Sequence, residues 1–189
     1  MKILQKIAAV LAFCSVVLFA FSVDAKTVQI CDMGAYALYN RANSLFSRND
    51  VPFRFSDLKL WKKASPESPY DQYYVTGFPK GGSARDFVVV VFFCNGAGYV
   101  SKMSIMADMD NPNYAAYMAY AMAGVTMAMG ISVQESDILK QNSHRGKSNT
   151  YYGDVWVARL NRRVICEMTQ IPGESGERLG LVHMRATDN

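Results

Sequence analysis

The chain has 189 residues, 50% of them hydrophobic and only 19% charged, with 20 Lys and Arg against 16 Asp and Glu. That composition excludes a disordered polymer, a collagen-like fibre and a cysteine-dense mini-protein. A net charge of +4 is too small for a dedicated nucleic-acid binder.

Residues 1–25 read as an export signal. Lys2 and Lys6 give a positive start, and Ile7 to Val23 is uncharged and largely apolar. Val23-Asp24-Ala25 then supplies a cleavage site that ends on a small residue. Cys14 does not mark a lipoprotein, because Phe13 stands where lipid attachment needs a small residue. The mature chain, 26–189, is expected to be a single α+β domain outside the cytoplasm, periplasmic or secreted in a bacterial setting.

Ile30 to Phe46 carries Cys31, Ala35, Leu38, Ala42 and Leu45 at helical spacing, and Asn49-Asp50 with Pro52 ends the pattern. Phe53 and Phe55 alternate with polar neighbours, and the phase shifts near Asp57 as at a bulge or bend. Lys62 to Asp71 is an exposed loop, Gln72 to Phe78 a strand, and Pro79 to Ser83 a turn. Asp86 to Cys94 holds an unbroken apolar run, which belongs in the middle of a sheet. Asn95-Gly96-Ala97-Gly98 turns it into a partner strand, Tyr99 to Met106.

Asn111-Pro112 starts a helix that runs to Met129 and stops at Gly130. Its stretch Tyr114 to Ile131 has no charge, yet it is too rich in Ala, Met, Tyr and Gly for a membrane span. An all-round apolar helix is instead expected to be interior, with Met118, Met122, Val125 and Met129 as one stripe and Ala115, Ala119 and Ala123 allowing close approach. Ser132 and Glu135 form a capping box for a short helix to Gln141. Asn142 to Asn149 is a polar loop. Tyr151 to Leu160 and Val164 to Ile171 make a second hairpin, and the Gly-rich segment after Pro172 leads to a last apolar piece, Leu181 to Met184. The whole predicts an antiparallel sheet of about five to six strands packed against an N-terminal helix and a central apolar helix.

Chemistry is harder to find. The mature cysteines, Cys31, Cys94 and Cys166, allow one disulfide and one free thiol in an oxidising compartment, in any of three pairings. There is no C-x-x-C, H-E-x-x-H, nucleophile elbow or phosphate loop, so no metal and no cofactor is expected. The two histidines are His144, in the polar loop, and His183, beside apolar residues; nothing in the spacing ties His183 to Cys166. No motif carries a resemblance to a known family. Two features suit binding rather than catalysis. Methionines are pliable liners of apolar pockets, which makes Met103, Met118 and Met122, with Tyr117 beside them, the candidate ligand residues. Tyrosines near strand and helix ends, such as Tyr70, Tyr74, Tyr120 and Tyr151, suit a protein interface. The expectation is an exported non-catalytic binding or adaptor domain whose partner is a protein or a small apolar ligand, with no stable membrane span after signal cleavage. The alternatives are a carrier that holds a small apolar ligand in a Met-lined pocket, and an extracytoplasmic hydrolase whose site carries no recognisable motif.

Overall fold

The computed structural model describes residues 27–82, 86–146, 150–173 and 176–187. The segment expected to be a signal, 1–25, lies outside the described residues. Among the described residues, three α-helices and an antiparallel sheet make an α+β fold. The helices are α1 (Ala35–Arg48), α2 (Tyr114–Met129) and α3 (Val133–Gln141). The strands are β1 (Thr27–Val28), β2 (Phe53–Phe55), β3 (Lys59–Lys62), β4 (Asp71–Pro79), β5 (Val88–Cys94), β6 (Val100–Asp108), β7 (His144–Arg145), β8 (Tyr151–Val157), β9 (Arg162–Pro172) and β10 (Arg178–Thr187). Their order across the sheet is β2-β4-β5-β6-β10-β9-β8-β7, with β3 also on β4 and β1 on β10.

Ten strands among the described residues exceed the five or six expected. Much of the difference comes from short pieces that borrow a neighbour's free edge. β2 and β3 flank the bend at 56–58 and both pair with β4, and β7 adds two residues beside β8. The important difference is β10. It spans Arg178–Thr187, well beyond the apolar Leu181–Met184, and lies centrally between β6 and β9.

The β5–β6 hairpin forms as read, and every residue of β5 is buried. The N-terminal helix starts five residues later than its periodicity suggests. Ile30 donates its N–H to the Val100 carbonyl at 2.8 Å, and Val100 donates to the Met33 carbonyl at 2.9 Å, so 30–33 is tied to the start of β6 as a bent segment ahead of the helix. The capping box of α3 is complete: Glu135 N–H donates to Ser132 Oγ at 3.1 Å, and Ser132 N–H donates to Glu135 Oε2 at 2.7 Å. α2 ends at Gly130, whose φ of 94° suits glycine alone at low cost.

One face of the sheet is covered by all three helices. Val90, Phe92, Met103, Ile105, Val182, Met184, Val155 and Cys166 meet Leu38 and Phe46 of α1, Met118 and Val125 of α2, and Leu139 of α3. The far face carries a smaller cluster of Val89, Val91, Phe93, Met106 and Leu181, shielded by Trp61, Tyr70, Tyr74, Phe87 and Ile171 rather than by a helix.

α2 is covered on one side only. Met118, Ala121, Gly124, Val125, Ala128 and Met129 are buried, whereas Ala115, Ala116, Ala119, Tyr120, Ala123 and Met127 are exposed. The close approach is made by Gly124, not by the alanine row 115–119–123. A Cβ on Gly124 would lie 2.2 Å from Phe46 Cζ, and Phe46 packs edge-on against Phe53 and Phe55. The helix therefore shows an uncharged apolar face to its surroundings, which is uncommon for a surface helix. Among the described residues, no helix is long and apolar enough to cross a membrane.

Candidate functional site

The uncovered side of α2 borders a cleft of about 320 Å³. Tyr114, Ala115, Met118, Ala119 and Met122 form its helical wall. The opposite wall comes from the helix-side face of the sheet: Tyr151 of β8, Met168 and Gln170 of β9, and Gly180 and Val182 of β10. Register explains the grouping, since Tyr151 pairs with Met168, Met168 with Val182, and Gln170 with Gly180. Met109, just after β6, closes one end. Gly180 has no side chain to fill the floor; a Cβ there would lie 3.4 Å from Met109 Cγ.

Among the described residues, the lining contains no charged side chain and four methionines, Met109, Met118, Met122 and Met168. Thioether side chains reshape at low cost and offer a polarizable surface to an apolar guest. Met168 and Tyr151 are 44% and 47% exposed, so the cleft opens to the outside along β8 and β9. Volume, apolar walls and a few polar groups (Tyr114, Tyr151, Gln170) are the ordinary attributes of a small-molecule site.

Of the residues singled out by sequence, Met118 and Met122 line this cleft. Met103 lies on the same face of the sheet but is fully buried in the core, and Tyr117 packs at the edge of that core without lining the cleft. Met109 and Met168 were not among the candidates. Their signal was weak because one follows a strand and the other sits on β9, so only the pairing of β9 with β10 brings them to α2.

Cys31, Cys94 and Cys166 are all buried and free, and no pair is bridged. Burial pushes the Cys31 thiol up to about 11 and the Cys166 thiol up to about 12, and it raises Cys94 as well. Thiols held protonated in this way are poor nucleophiles. Cys166 and His183 do not meet. Cys166 pairs with Met184 on the helix-covered face, while His183 pairs with Glu167 and Ser104 on the far face.

That far face holds a second arrangement absent from the sequence reading. Directly paired residues of an antiparallel sheet share a face. One rung runs Tyr74, Val91, Ser104, His183, Glu167, Tyr152, His144 across seven strands. Ser104 Oγ and His183 Nδ1 are 2.9 Å apart, and Arg185 Nη2 lies 3.5 Å from Glu167 Oε1. Burial, then Lys102, then Arg185 pull the His183 imidazole down to about 4, so it is neutral at physiological pH. A serine, a histidine and a carboxylate in line invite comparison with a hydrolytic triad. Ser104, however, is 0% exposed and His183 4%, so in this arrangement the hydroxyl has no open path to a substrate. Among the described residues no group of three or more His, Cys, Asp or Glu side chains is placed to hold a metal ion.

Comparison of the chain with family models, with curated proteins and with solved structures finds no match.

Proposed function

We propose that this is an exported, non-catalytic binding protein whose ligand is a small apolar molecule held between α2 and strands β8–β10. One observation carries the reading: a cleft of about 320 Å³ with no charged side chain among the described residues that line it, beside a helix whose exposed face is also uncharged. A folded chain has little reason to leave such a surface uncovered unless something apolar occupies it. The export half of the reading rests on the positive, apolar and small-residue sequence of 1–25 and on nothing else.

The test is a neutral fluorescent probe of naphthylamine type titrated into the mature chain, wild type and Ala119→Trp. Ala119 is exposed and lines the cleft, so the indole occupies the ligand's space without entering the core. The wild type is expected to bind saturably. The variant is expected to lose about tenfold or more in affinity at unchanged melting temperature, the equivalent of about 1.4 kcal/mol of lost apolar contact. Equal binding by the two proteins removes the cleft as the site.

A further inference from the structure

The far face of the sheet contains an electrostatic conflict. Lys102 of β6 and Arg185 of β10 are directly paired, with their side chains on the same face as Phe93 and His183. Cross-strand partners stand about 5 Å apart at Cβ, and like charges so placed oppose folding. Arg185 has a partial answer in Glu167, at 3.5 Å. Lys102 has none: among the described residues no carboxylate lies within ion-pair distance of it, and its ammonium sits 5.1 Å from the centre of the Tyr70 ring. Lys102 is also half-buried, and that burial, followed by Arg185, draws its ammonium below the ordinary range. The next rung is polar and buried, with the Ser104 and His183 pair directly alongside. Tyr70 and Phe93, edge-on at 6.4 Å, wall the other side.

Two cations held side by side on a partly desolvated surface, with one acid reaching only Arg185 from β9, suit a ligand that brings the missing negative charge. We propose that Lys102 and Arg185 form a binding site for the oxyanion of a small solute, a carboxylate or a phosphoryl group. The oxyanion bridges the ammonium and the guanidinium, and an attached ring or apolar body rests against Tyr70, which itself covers the buried Phe93. This site is on the opposite face from the methionine cleft and does not depend on it.

Thermal melting of the mature chain in increasing inorganic phosphate or benzoate, with sodium chloride holding ionic strength constant, tests this. Wild type is expected to show a saturable rise in melting temperature with at least one of the two anions, and the stronger of them identifies the oxyanion. Lys102→Met is expected to weaken the half-saturating concentration by about tenfold or more, the loss of one charge-assisted hydrogen bond. Lys102→Arg is expected to retain the response, and so is Lys140→Met, which removes a distant exposed cation on α3. In chloride alone Lys102→Met is expected to melt no lower than wild type, because it relieves the repulsion; a large drop there contradicts the premise. The absence of a saturable response to either anion, or an undiminished response in Lys102→Met, overturns the site. A wild-type NMR titration needs no variant: phosphate or benzoate should move the resonances of Lys102, Ser104 and Arg185 ahead of those of α2, and uniform small shifts count against the site.

Discussion

His183 gives the most quantitative prediction. Its imidazole is 4% exposed, 2.9 Å from Ser104, and faces Lys102 and Arg185 on one side and Glu167 on the other. Burial, aided by those two cations, lowers its pKa from an ordinary 6.5 to about 4 in the folded chain. The unfolded chain therefore binds the proton more readily, and stability must fall as pH drops below the unfolded value. The contribution is intact above the ordinary 6.5 and is lost as pH falls from there to the folded value. The loss is about 2 kcal/mol at about pH 5 and about 3 kcal/mol at about pH 4. Against a total stability of roughly 5–15 kcal/mol this is a large fraction. The carboxylates held down by partners, Asp32, Glu67, Asp71 and Asp110, act in the same direction, but only as pH falls through their ordinary values, 4.5 for Glu67 and 3.8 for the aspartates, and lower. Urea unfolding at several pH values between about 7.5 and 5 should thus show a steep acid slope in wild type and a shallow one in His183→Asn, which keeps a polar atom for Ser104. His144 is exposed and common to both proteins, so it cancels in the difference. Parallel slopes in the two proteins would refute the buried, neutral imidazole.

Gly124→Ala is expected to destabilise by about 1–2 kcal/mol, overpacking against Phe46 outweighing the gain in helix propensity of about 1 kcal/mol; chemical denaturation measures it, and a rise in stability would mean that α1 and α2 do not meet as described. The exported protein is expected to begin near Lys26, and N-terminal sequencing that recovers only intact residue 1 from membranes contradicts export by cleavage.

The parts of this fold that could be read from sequence are those whose signal is local. The apolar run of β5 has one good placement, the centre of a sheet. The capping box at Ser132 and Glu135 is two hydrogen bonds written three residues apart. β10 was harder, because its far face carries His183 and Arg185 and its helix-side face includes Gly180, which thins the alternation to Leu181–Met184. The apolar α2 was legible as a helix but not as a half-covered one, since Ala, Met and Tyr on all sides hide which face packs. The candidate site divides the same way. Met118 and Met122 could be chosen from helical spacing, and they line the cleft. Met168 reaches it only through the register of β9 with β10. Ser104 and His183 are 79 residues apart, and nothing short of that register places them on one rung.

The central claim is that an apolar ligand enters the cleft rather than the core or the far face, and the methionine methyl groups report on it directly. With the methionine methyls labelled by carbon-13, an NMR titration with the neutral naphthylamine probe should move the signals of Met109, Met118, Met122 and Met168 together, on one binding curve. Met103, fully buried on the same face of the sheet, and Met106, on the far face, should stay in place. Shifts at Met103 or Met106 with none at the four cleft methyls would contradict the account.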